Sequence, residues 1–137
     1  MTTARDIMTA GVQCVDQNES LLDAARMMRD LNVGSLPICG LDNRLHGIIT
    51  DRDIVIRCIA DGRDPAEMSA EELAGHLHWV NADDDVTDVL KTMEDNRIRR
   101  VPVIDDHRLV GMISEADLAQ HLDEHQIAEF VEHIYAR

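Results

Sequence analysis

From Leu21 to Leu31 the apolar residues Leu21, Ala24, Ala25 and Met28 fall on one face of a 3.6-residue period, which predicts an amphipathic helix. Val86, Val89, Leu90 and Met93 repeat that face further on. Each helix is followed by a short apolar segment containing proline, Leu36-Pro37-Ile38-Cys39 and Val101-Pro102-Val103-Ile104. A polar turn then leads into a second apolar run, Leu45 to Ile49 or Leu109 to Ile113, so each pair reads as a hairpin. Val12-Gln13-Cys14-Val15 and His78-Trp79-Val80 read as short strands before the helices, and Asp51 to Ala60 and Glu115 to His125 as helices after the hairpins.

The two halves superpose in sequence. A shift of 65 lays Glu19–Pro37 on Asp84–Pro102, with Asp23/Asp88, Asp30/Asp95 and Pro37/Pro102 identical. One deletion in the following turn changes the shift to 64, which aligns Arg44-Leu45 with Arg108-Leu109, Gly47 with Gly111, Ile49 with Ile113 and Asp53 with Asp117. An apolar pattern that keeps its phase this far implies a duplicated β-α-β-β-α unit whose apolar faces need cover. The fold class is α/β (α+β). Residues 1–63 form repeat 1, residues 64–75 a linker with a short helix, and residues 76–137 repeat 2 with a C-terminal helix. In the linker, Ser69 and Glu72 have the spacing of a capping box and Gly75 ends the helix; Ala4 to Met8 aligns with Ala70 to Ala74.

Composition narrows the function. The chain has 137 residues and a net charge of −14, which opposes nucleic acid or an anionic membrane surface as partner. No apolar run reaches the roughly 20 residues that span a bilayer, and the first residues lack a signal-peptide pattern, so the expected compartment is the cytoplasm. With only Trp79, Phe130 and Tyr135 as aromatics, the core must be aliphatic. Arg97, Arg99, Arg100 and Arg108 gather around the second hairpin and read as a solvated face.

Three motifs resemble the CBS (cystathionine-β-synthase) family: the Asp6-Ile7-Met8 opening; Pro37 and Pro102 inside strands; and Gly47-Ile48-Ile49-Thr50-Asp51-Arg52-Asp53 with its counterpart Gly111-Met112-Ile113-Ser114-Glu115-Ala116-Asp117. The resemblance covers nearly the whole chain. It implies a pseudo-two-fold Bateman-type module that pairs into a homodimer, with clefts between the repeats for an adenosine-containing ligand such as AMP, ATP or S-adenosylmethionine. In that reading Thr50 and Ser114 meet phosphate, and Asp53 and Asp117 accept a ribose diol. Arg52 meets phosphate, and the segments of Leu36-Pro37 and Val101-Pro102 flank the base. The same Ser/Thr-x-x-Asp spacing is also that of a capping box, and one residue can serve both roles.

Other candidates are separate. Cys14 and Cys39 fall on strands of one small sheet, so a disulfide is geometrically compatible, whereas a cytoplasmic setting favours thiols; both readings stay open. Cys58 reads as core. His121 and His125, four apart near the end of a helix with Glu129 and His133 continuing the stripe, could chelate zinc or serve as a polar outer face. His76 and His78 flank the strand entering repeat 2. Phe130, Val131, Ile134 and Tyr135 form the apolar side of a C-terminal helix that caps repeat 1 or, as favoured here, covers a dimer mate. No nucleophile–base–orienter set, Walker loop or G-x-G-x-x-G occurs, so the expectation is a non-enzymatic regulatory module acting through a protein effector or assembly state. The alternative is a stress- or redox-linked dimeric structural protein with empty clefts.

Overall fold

The computed structural model describes residues 2–75 and 77–135. The chain forms α1 (Ala4–Ile7), β1 (Thr9–Ala10), β2 (Val15–Asp16), α2 (Leu21–Leu31), β3 (Ser35–Cys39), β4 (Leu45–Thr50), α3 (Asp51–Ile54), β5 (Val80–Asn81), α4 (Val86–Asn96), β6 (Arg100–Asp105), β7 (Arg108–Ser114), α5 (Glu115–His121) and α6 (Glu124–Ile134). A π-helical stretch, Val55–Ile59, extends α3, and a 3₁₀ turn, Ala70–Leu73, occupies the linker. Among the described residues no helix is long and apolar enough to cross a membrane.

Contacts divide the chain into two compact units, one of residues 13–77 and one joining residues 1–12 to 78–137. The grouping departs from chain order because each repeat is completed by the short helix that precedes the other repeat in sequence. In the first-named unit the 3₁₀ turn buries Ala70 and Leu73 in the cluster of Val15, Leu21, Leu36, Ile38 and Ile49. Leu21 N–H donates to the Met68 carbonyl at 2.9 Å and Ala70 N–H to that of Glu19 at 2.8 Å. In the other unit Ala4 and Ile7 of α1 lie in the cluster of Val80, Val89, Val101, Ile113 and Leu118. There Ala4 N–H donates to the Asp84 carbonyl at 2.8 Å and Val86 N–H to that of Thr2 at 2.9 Å. These bonds join segments far apart in sequence, which local periodicity cannot disclose.

The β-α-β-β-α order appears in both units. One sheet runs β2-β3-β4 and the other β1-β7-β6-β5. In each, the strand entering the repeat pairs in parallel with the proline-bearing strand, which pairs antiparallel with the last. Pro37 and Pro102 each stand just before the first residue reached by the parallel neighbour, Ile38 and Val103, so on that side their missing N–H costs no ladder bond. Both hairpins carry an irregularity at the next step, between Ile38 and Cys39 and between Val103 and Ile104. The second closes through Asp106 and His107, both at positive φ (49° and 66°), as a two-residue turn that follows strand twist requires.

Helix ends follow their residues. Ser20 caps α2 by accepting from Asp23 N–H at 3.1 Å, and Asp85 caps α4 through Thr87 N–H at 3.2 Å. Both helices terminate in a left-handed residue, Asn32 (φ 56°) and Arg97 (φ 51°). Arg97, one of the clustered arginines, thus has a backbone role that its charge does not suggest.

Gly111 is required by close approach: an added Cβ would stand 2.7 Å from the Thr9 carbonyl oxygen and 2.6 Å from Met8 Sδ. Gly111→Ala is expected to push β1 off β7 and destabilise the protein by about 1–3 kcal/mol, the usual cost of overpacking. Urea denaturation checks this; a midpoint equal to that of the parent would contradict the packing described.

Candidate functional site

Two strand-to-helix junctions carry the same local chemistry. At the end of β4, Thr50 N–H donates to Asp53 Oδ2 at 3.0 Å while Asp53 N–H donates to Thr50 Oγ1 at 3.1 Å. At the end of β7, Ser114 N–H donates to Asp117 Oδ2 at 2.8 Å and Asp117 N–H to Ser114 Oγ at 3.4 Å. Both are capping boxes, so the stabilising role of these residues is realised. All four residues are half-buried and keep part of their surface accessible. The strands leading to them place Ile49 and Ile113, each fully buried, one residue earlier, so the side-chain alternation of a strand turns Thr50 and Ser114 away from the core.

The two junctions differ in what surrounds them. In the unit of β7, Ser114 Oγ–H also donates to Asp117 Oδ2 at 3.1 Å, and Thr9 Oγ1–H donates to Asp117 Oδ1 at 2.9 Å. β1 delivers Thr9 by pairing it with Met112 of β7. That contact spans 108 positions and has no local signal in the sequence; only the alignment of Met8 with Ala74 puts Thr9 opposite Gly75. Arg52 is exposed beside Asp53, its backbone N–H bonded to Asp51 Oδ1 at 2.8 Å, whereas the corresponding position near Asp117 is Ala116.

Of the residues expected to flank a base, Leu36 (2% exposed) and Val101 (0%) are core residues of their own units, and Pro37 and Pro102 are buried. They fix the strands that carry the junctions rather than offering side chains at the surface.

The stripe expected from His121 through His125 is cut after His121, because the last helix is broken, while His125, Glu129 and His133 keep their spacing on α6. His121 closes α5, Leu122 is extended (φ −97°, ψ 154°), and Asp123 begins α6 with a new capping box to Gln126. His121 Nδ1 lies 2.8 Å from the Asp117 carbonyl oxygen, and His125 Nε2 lies 3.4 Å from Glu129 Oε1. The His133 imidazole titrates above its ordinary value of 6.5, held first by the Glu129 carbonyl and then by the Glu94 carboxylate. Among the described residues no group of three or more His, Cys, Asp or Glu is placed to hold a metal ion. His76 lies outside the described residues.

The apolar side of α6 is largely used within its own unit. Phe130 (3% exposed) and Ile134 (7%) join the core with Val89 and Met93, while Val131 and Tyr135 remain exposed. A groove of about 290 Å³ lies between α5 and α6, lined by Leu118, Ala119, Leu122, Ile127 and Phe130, with Glu115 and Tyr135 at its polar edge. Tyr135 O–H donates to Glu115 Oε1 at 3.3 Å and accepts from Arg99 at 3.2 Å.

Cys14 and Cys39 are joined in a disulfide, with Cα atoms 5.7 Å apart, and Cys58 is a buried thiol.

This duplicated element, with its paired hydroxyl–carboxylate junctions, matches the CBS domain over residues 4–59 and again over 68–124, and the chain belongs to that family. CBS domain proteins are generally regulatory rather than catalytic. The chain is 54% identical to hypoxic response protein 1 of Mycobacterium tuberculosis, covering 98% of this chain and 94% of that protein. A crystal structure of hypoxic response protein I with two coordinated zinc ions superposes with a TM-score of 0.84, covering 89% of this chain and 100% of that one at 54% identity. A hexameric CBS-CP12 protein from bloom-forming cyanobacteria gives a TM-score of 0.79 at 30% identity, covering 90% of this chain and 72% of that one.

Proposed function

We propose that this protein is a non-enzymatic regulatory sensor that takes an adenosine-containing nucleotide at its Ser/Thr–Asp junctions. One observation carries the reading: the same hydroxyl and carboxylate are set at the same strand end in both units, half-exposed and held rigid by reciprocal backbone bonds. A carboxylate so fixed can accept from a ribose diol, and a hydroxyl one turn earlier can reach a phosphate oxygen. For a regulatory module the output of binding is a change in contact with a protein effector or in assembly. Exposed Val55 (54%), Ile56 (47%) and Ile59 (53%), grouped on the π-helical stretch, favour assembly as a homodimer.

Isothermal titration with AMP, ADP, ATP and S-adenosylmethionine tests the reading. Binding of at least one of them is expected, with loss in the Asp53→Ala, Asp117→Ala double variant. Absence of binding to the parent protein, or equal binding by the double variant, rejects it.

The Cys14–Cys39 bridge favours a second reading, a redox-linked structural protein that carries no nucleotide. The titration decides between the two, since that reading requires no heat with any of the four ligands.

A further inference from the structure

We propose that the two junctions are unequal by construction, and that a nucleoside diol binds at Asp53 alone because Thr9 occupies the carboxylate of Asp117. The inference rests on the nucleotide reading above and specifies which site serves it.

A carboxylate offers about four acceptor positions. Asp117 has three filled from inside its own unit: Ser114 N–H at 2.8 Å and Ser114 Oγ–H at 3.1 Å on Oδ2, and Thr9 Oγ1–H at 2.9 Å on Oδ1. A vicinal diol donates two hydrogen bonds, one more than this leaves. Asp53 accepts one bond among the described residues, from Thr50 N–H at 3.0 Å, and its Oδ1 stays open. The hydroxyls differ in the same sense. Ser114 Oγ–H is spent on Asp117, whereas Thr50 Oγ1 accepts from Asp53 N–H and has no acceptor for its own proton among the described residues. It is therefore free to donate to a phosphate oxygen. Charge follows suit, since the exposed Arg52 stands where the other junction has Ala116, each beside an acidic residue, Asp51 or Glu115.

The origin of the asymmetry is one pair of aligned positions, Thr9 and Gly75. Glycine has no hydroxyl to place on Asp53, and a Cβ added to Gly75 would meet nothing within 4 Å. The position is thus open to substitution, and the asymmetry can be moved from one junction to the other.

Titration with AMP, and with 2′-deoxy-AMP as the probe lacking the diol, is run on the parent, Asp53→Asn, Thr9→Val and Gly75→Thr proteins, each checked for folding by circular dichroism. Expected are one AMP per chain for the parent and at least tenfold weaker binding of 2′-deoxy-AMP. Asp53→Asn, which keeps the cap oxygen, is expected to weaken AMP at least tenfold. Thr9→Val should raise the stoichiometry toward two, and Gly75→Thr should weaken the parent site. Two equivalent AMP sites in the parent, or Thr9→Val and Gly75→Thr proteins that titrate like the parent, overturn the inference while leaving nucleotide binding intact. No binding of AMP to any of the four proteins overturns both.

Discussion

Ile113→Ala is expected to lower the stability of this protein by about 2–5 kcal/mol, the range for removing a large aliphatic side chain from a close-packed core. Ile113 is 0% exposed and lies in the cluster formed by Val80, Val89, Met93, Val101 and Leu118. With few aromatic residues, this core fills its volume with branched aliphatic side chains that interdigitate, and neighbours fixed by two helices and a sheet collapse only partly into a void. Ile113→Val removes a single methyl and is expected to cost about 0.5–1.5 kcal/mol. The pair therefore separates loss of packing from loss of side-chain type. Ile49, its repeat counterpart, is equally buried in the other unit, and Ile49→Ala should cost a similar amount. Urea denaturation followed by far-ultraviolet circular dichroism measures each; a loss below about 1 kcal/mol for Ile113→Ala contradicts its place in the core. Because Ile113 immediately precedes Ser114, the same substitution should also loosen the junction that holds Asp117.

What the sequence disclosed follows from the range of the forces involved. The span of α2 is read correctly because Leu21, Ala24 and Met28 recur at helical spacing and all three are buried. The hairpins follow from prolines and turn residues that act over a few positions, and the Thr50–Asp53 and Ser114–Asp117 pairs from contacts three residues apart. Partnerships set by the whole fold were not legible. Nothing near Ala4 or Ile7 says that they complete the core of the later repeat, and nothing near Thr9 says that its hydroxyl reaches Asp117. The break between α5 and α6 does have a local marker: Asp123 and Gln126 have capping-box spacing, which signals a new helix start after His121. The π-helical stretch has no local marker in Val55-Ile56-Arg57-Cys58-Ile59; burial of Cys58 at 0% exposure with both neighbours outside is its packing correlate.

Reduction of the Cys14–Cys39 bridge is expected to destabilise the protein by about 3 kcal/mol, because the link closes a loop of 25 residues and its removal returns that loop's freedom to the unfolded chain. The loop contains α2, so the bridge ties the entry to β2 onto the end of β3 around the whole helix. The two cysteines are not equally exposed: Cys39 is 3% exposed and Cys14 half-exposed. An attacking thiolate therefore reaches Cys14 first, forming a mixed disulfide there and releasing Cys39 as the leaving thiolate, and a second thiol completes the reduction. Cys58, buried in the same unit, has no route to this exchange while the fold is intact. Cys14→Ser with Cys39→Ser in the parent background should reproduce the loss and abolish any effect of dithiothreitol on the melting temperature. If instead the parent melts at the same temperature with and without dithiothreitol, with mass spectrometry confirming the gain of two hydrogen atoms on reduction, the bridge contributes nothing to stability. The redox-linked reading would then need the bridge to act between two folded states, since only a difference between the states that interconvert can shift their populations.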